Sequence, residues 1–416
     1  MAPYLKWILL FAIGAALAVS VIWYAPAPKS ASSSQFSVAG ALQPCLTAGA
    51  SEESIVTCSR EKIRELLTQH STEELMDNIA TGTVPAVFGN CHEIGHFIGE
   101  ETYEKTGNLE SALAECTSAC GYGCIHGAVG MAVANALGEE YNDDNIAHAP
   151  FSEIVALGAR YCTQTGLCHG MGHILFLNSN NFSKSLNGCD SIASGAFAQA
   201  CYEGVFMQSI GDLTSALIVG NSQPTQTPLS SSEYAKLCNS LAVSYRHACF
   251  LYLPDYLNKD FQKNGTTDVK EEFALAAHTC TNFTGVSRSE CFEGLGRSTG
   301  PHSVFIVDSQ PDAWALCSSL STESDQQSCV LGRINIMSLF ESYGHEADFC
   351  ALTNGPTQTL CYDAVFQNYY QTHYNANASA VCDMAQDAQS CQTELNAYMQ
   401  IYKTLPDYRY GLLGKI

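Results

Sequence analysis

Ten cysteines recur along this 416-residue chain, each near the start of a segment with helical periodicity: Cys58, Cys91, Cys124, Cys168, Cys201, Cys249, Cys291, Cys329, Cys361 and Cys391. Their spacings are 33, 33, 44, 33, 48, 42, 38, 32 and 30 residues. A degenerate period in this range marks stacked units, none of which can bury its apolar face alone.

Eight of the ten have a second cysteine 6 to 13 residues upstream: Cys45 with Cys58, Cys162 with Cys168, Cys189 with Cys201, Cys238 with Cys249, Cys280 with Cys291, Cys317 with Cys329, Cys350 with Cys361 and Cys382 with Cys391. That distance suits a helix ending at the first cysteine and another starting at the second. A disulfide there closes a loop of about a dozen residues and contributes roughly 3 kcal/mol in the loop-entropy model. Cys91, Cys116, Cys120 and Cys124 are left over, with three pairings open. A zinc cluster of Cys116, Cys120, Cys124 and His126 is the alternative use of these residues. Twenty cysteines are otherwise hard to accommodate in a reducing compartment, so disulfides and export are expected.

Segments such as SREKIRELLTQ, NLESALAEC and EEFALAAHTC carry apolar residues at three and four spacing, and strand-like alternation is scarce. Six of the ten units repeat a glycine three or four residues after the cysteine of the second helix, as in CHEIGHF, CHGMGHI, CYEGVFM and CFEGLGR. Mid-helix glycine costs about 0.8–1 kcal/mol against alanine, so its recurrence points to close backbone approach. The expected fold is all-α: an array of disulfide-stapled helical hairpins, in an arc or a closed toroid, with an N-terminal transmembrane or signal helix.

That N-terminal element is the apolar run Trp7 to Tyr24, preceded by Lys6. Eighteen residues just span a bilayer, and Ala16-Leu17-Ala18 offers a signal-peptidase site, so both signal anchor and cleaved signal fit residues 1–28. Residues 29–40 read as a Pro/Ser-rich linker. The Pro/Ser/Thr-rich stretch VGNSQPTQTPLSSS suggests a division near residue 225, between a histidine-bearing region 41–225 and a region 226–416 without paired histidines. The formal charge of −22, with no basic stripe, disfavours nucleic acid as a partner.

Five of the twelve histidines fall in three consecutive units. His92 and His96, and again His169 and His173, stand four apart, so each pair shares a helix face and can hold one divalent ion. His126 lies in the unit between them. The eleven residues HEIGHFIGEET resemble the start of a metzincin zinc-peptidase helix. The resemblance would make His92 and His96 zinc ligands and Glu93 the general base, with Gly99 matching and Thr102 in the place of the third histidine. Glutamate recurs two residues after the cysteine as Glu203 and Glu293 in units lacking histidine, so Glu93 also fits a repeat position favoured at a helix start.

The metal set expected from these residues is His92, His96, His126, His169, His173 and Glu203, with Glu93 as catalytic base. Zinc is the first choice of ion; iron, copper and manganese follow. The chain therefore reads as an extracytoplasmic, membrane-anchored or secreted metalloprotein with metal-dependent hydrolysis as its candidate chemistry. The competing reading is a non-catalytic scaffold that binds a protein or glycan partner.

Overall fold

A computed structural model describes residues 36–46, 51–81, 91–138, 143–218, 229–266, 268–300, 309–340, 343–372, 379–385 and 387–402. Among these residues there are helices and no strands. Nine inner helices run in series: α1 (Cys91–Thr106), α2 (Gly123–Leu137), α3 (Thr165–Ser179), α4 (Ala196–Ile218), α5 (Val243–Lys263), α6 (Gly285–Arg297), α7 (Glu323–Phe340), α8 (Gly355–Thr372) and α9 (Ala388–Tyr402). Each packs on the next, and no substantial contact joins the first described helices to the last. Shorter outer helices, such as Phe151–Tyr161, Phe182–Ile192 and Val269–Cys280, alternate with them along the chain.

Capping differs between the two layers. Five outer helices start on side chains that accept a backbone N–H, those of Asn108, Asn181, Ser230, Asp268 and Ser309, whereas Phe151–Tyr161 starts at Pro150 without one. Inner helices α2, α3, α5 and α6 have no such side-chain cap. A disulfide near each of those starts holds the turn instead.

All twenty cysteines are paired. The eight local bridges form as expected. The remaining four resolve as Cys91–Cys120 and Cys116–Cys124, which rules out the thiolate zinc cluster. Cys116–Cys124 is a ninth hairpin staple of the same kind, and Cys91–Cys120 braces the start of α1 against the turn before α2. Ten disulfides suit an oxidising, extracellular environment.

Glycine sets the tightest crossings. A Cβ on Gly99 would sit 1.9 Å from the Cys124 carbonyl oxygen, and one on Gly127 would sit 2.0 Å from that of His96. The same reciprocal contact joins α3 to α4 (Gly172 to Cys201, 2.1 Å; Gly204 to His169, 2.0 Å) and α6 to α7 (Gly296 to Cys329, 1.7 Å; Gly332 to Glu293, 1.7 Å). These contacts align His96 with His169 and Glu293, and His126 with Glu203. Cysteine offset had instead paired His92 with His169. The two registers differ by one helical turn.

One hydrophobic cluster runs from Ile125 to Leu395 and a second gathers Val38 to Cys124. No described helix is long and apolar enough to cross a membrane. The apolar run from Trp7 to Tyr24, the linker to residue 35 and the division near residue 225 lie outside the described residues.

Candidate metal centre

α1, α2 and α3 bring the five histidines together. The His126 ring lies 5.1 Å from that of His92, 5.6 Å from His96, 5.0 Å from His169 and 5.3 Å from His173, centroid to centroid. His92, His96 and His126 each offer a ring nitrogen within 4.8 Å of the others, so this triad could hold a metal ion. Two nitrogens about 2.0–2.1 Å from one ion in a tetrahedral site lie about 3.3–3.4 Å apart, a few tenths of an ångström beyond the spacing found here. The Nε2 atoms of His92 and His96 are 3.0 Å apart.

The arrangement is built from the turn upward. Cys120, Gly121 and Tyr122 hold φ of 56°, 62° and 66°, a left-handed run that costs roughly 1–2 kcal/mol for each residue bearing a Cβ. Disulfides to Cys91 and Cys116 bracket that turn. It places the Cys120 carbonyl oxygen 2.8 Å from His92 Nδ1. A carbonyl can only accept, so Nδ1 carries the proton and the His92 Nε2 lone pair faces His96. His173 repeats the device with Nδ1 2.9 Å from Gln208 Oε1. Fixing one imidazole nitrogen by a hydrogen bond frees the other as a ligand. Gly170 makes room first for Val129, whose Cγ1 would lie 2.7 Å from a Cβ there, and then for the central ring, with His126 Cδ2 at 3.3 Å.

His126 is 4% exposed, and both of its ring nitrogens are buried without a hydrogen-bond partner. His173 Nε2 is in the same condition. Each unsatisfied buried polar group costs about 1–3 kcal/mol, so three in one cluster demand a reason. Burial, reinforced by the neighbouring imidazoles, holds His96, His126 and His169 well below the ordinary histidine range. It brings His173 down to about 3, against the smaller opposing effects of Gln208 and Glu93. Neutral imidazoles with bare nitrogens are what a divalent transition ion binds.

The carboxylates lie elsewhere. Glu93 is exposed on α1, outside the triad. Glu100 and Glu101 are buried against Arg60, at 3.1 and 3.3 Å, and Glu101 also pairs with Arg64 at 2.7 Å. Glu203 lies outside the triad, 3.4 Å from Gln199, and burial raises its pKa while the charges of His247 and Arg297 oppose that rise. Thr102, at the third metzincin position, is buried with its hydroxyl 3.0 Å from that of Thr72. The third imidazole comes from His126 on the following helix instead. Met207 and Gln208 against the second pair were not legible beforehand, because each is 35 or more residues from its histidine.

Fold and site together define the class: an all-α, disulfide-stapled helical array with a buried imidazole cluster able to hold a metal ion. No family model, no curated protein and no solved structure matches this chain.

Proposed function

We propose that the protein is an exported metalloprotein, membrane-anchored through its N-terminal apolar run, that binds zinc or a related divalent ion through His92, His96 and His126. The observation that carries this reading is the partnerless, buried imidazole of His126 beside two others whose Nε2 atoms stand close to ligand spacing. His169 and His173 extend the ligand field across the α2–α3 interface. Glu203, whose charge is felt at Tyr122 beside His126, balances the positive charge from outside the ligand shell.

An ion held by His92, His96 and His126 would supply Lewis-acid chemistry suited to hydrolysis of an ester, amide or phosphate bond. In that chemistry Glu93, whose charge is felt at His173, would be the general base. The deciding experiment is elemental analysis of the purified, oxidised protein beside His92→Ala and His126→Ala. The wild type should carry stoichiometric metal and both variants should lose it. A wild type that remains metal-free after incubation with Zn(II), Cu(II), Mn(II) and Fe(II) would end the proposal.

A further inference from the structure

We infer that the cluster holds a second ion, of soft character, bound by His169, His173 and the thioether of Met207, with His126 shared between the two ions. The inference rests on the reading of His92, His96 and His126 as a first site. Three observations carry it.

Met207 projects from α4 so that its Sδ lies 3.4 Å from His169 Nε2. A nitrogen and a sulfur bound to one ion at about 2.1 and 2.3 Å have about this separation. The third group is His173, whose ring stands 4.9 Å from that of His169 and whose Nε2 is buried and unpartnered, Nδ1 being occupied by Gln208. A thioether beside two imidazoles favours copper, Cu(I) above all, over zinc or the harder ions. Finally, His126 has two partnerless nitrogens. One ion in the first triad takes one of them; the other carries the proton of the neutral ring, and a second ion binding there releases that proton to solvent and makes His126 a bridging imidazolate. Its ring stands between the two pairs, 5.1 Å from His92 and 5.0 Å from His169, so the second nitrogen is available to a second ion.

No reaction is required by this arrangement. It makes the cluster a two-compartment site, all-imidazole on the α1 side and softer, with a thioether, on the α4 side, within one block of packed helices.

The test loads the full chain with Zn(II), then titrates it with Cu(I), kept reduced by ascorbate, in competition with a chromophoric Cu(I) chelator. Wild type should hold one zinc and one copper per chain. Met207→Leu, which conserves volume, should weaken Cu(I) binding about 10- to 100-fold and keep zinc. His169→Gln should repeat that result from the imidazole side, and His92→Ala should show the reverse selectivity. Zinc uptake without a second ion, or Cu(I) affinity unchanged in Met207→Leu, would overturn the second site while leaving the first. A wild type that takes up neither ion would remove both.

Discussion

Helix pairs α3/α4 and α6/α7 share one reciprocal glycine contact, yet the same slots carry different chemistry. Where α3 and α4 face His169 to Met207, α6 and α7 face Glu293 to Asn335, whose Nδ2 donates to Oε1 at 2.9 Å. One turn further, His173 corresponds to Arg297. The Arg297 guanidinium is 2.8 Å from Asp255 and lies 4.0 Å over the Tyr252 ring. Nearby, His247 approaches Glu290 at 3.4 Å. At these two slots Glu293 and Arg297 are answered from within the chain, by Asn335 and Asp255, whereas nitrogens on His126 and His173 are left unanswered. The same scaffold position is therefore structural in one region and open to an outside ligand in the other.

The largest effects should come from what the two regions share. Gly127→Ala, Gly204→Ala and Gly332→Ala each drive a Cβ into a carbonyl oxygen that cannot retreat without moving a helix. Each should cost about 3 kcal/mol or more in denaturant unfolding, at or beyond the upper end of ordinary overpacking. Metal binding separates them. Gly127→Ala displaces the His96 backbone and should weaken zinc, while Gly332→Ala, equally destabilising, should leave zinc uptake by the folded fraction unchanged. Equal loss of zinc in both would mean that the regions are not chemically distinct.

Removing one polar group from each region sharpens the contrast. Arg297→Met leaves the buried Asp255 charge without its cation, still held by the Ser298 hydroxyl, and should cost about 3 kcal/mol, the lower end for breaking a buried ion pair. His173→Leu at the equivalent position removes a group whose Nε2 already lacks a partner and should cost about 1 kcal/mol or less in the metal-free chain. Under saturating metal the order should narrow, because His173→Leu then also forfeits the stabilisation that binding gives the native state. Thermal unfolding with and without added metal reads both values.

pH should act on the two regions in opposite directions. His173 titrates near 3 when folded and about 6.5 when unfolded, so its contribution is complete above 6.5 and is lost as pH falls toward 3. Burial alone would lower His247, but Glu290, Glu293 and Glu203 outweigh it and raise the folded value to about 9. Its contribution is complete below 6.5 and is lost as pH rises through 9. Each limb should slope by at most about 1.4 kcal/mol per pH unit for each proton involved. In the metal-free protein, His173→Leu should flatten the acid limb and His247→Gln the alkaline limb. Any crossover between the variants would contradict this assignment.

Much of the fold could be read from cysteine spacing because a disulfide across a hairpin turn is a local constraint. The same rule also contained Cys116–Cys124, whose separation of eight residues falls inside the range that identified the other staples. Cys120, four residues before Cys124, offered a competing partner in the same stretch. Side-chain register could not be read this way. Cysteine fixes the turn, but glycine fixes the helix crossing, and the two run one turn out of step between α1 and α3. His92 and His169 therefore look equivalent in sequence, whereas the crossings match His96 to His169. The four paired histidines were legible because i, i+4 spacing is a property of one helix, whereas the central place of His126 depends on how the helices stack. Met207, Gln208 and the Cys120 carbonyl were not, since crossings between helices bring them to the site.

The smallest predicted effect tests whether the α6/α7 pair is satisfied as a structural element. Asn335 lies on the exposed side of its contact with Glu293, so the hydrogen bond competes with water and Asn335→Leu should cost only about 0.5–1.5 kcal/mol. Burial already holds Glu293 above the ordinary carboxylate range, and the Asn335 amide is one of the groups opposing that rise. Losing the amide should therefore move the Glu293 titration further upward, observable by carbon NMR of the side-chain carboxyl. Met207→Leu at the matching position should leave that titration untouched, since it acts on the histidine pair two helices away. A Glu293 shift in the methionine variant would show that the regions communicate through α5, and the two slots would then have to be treated as one coupled network.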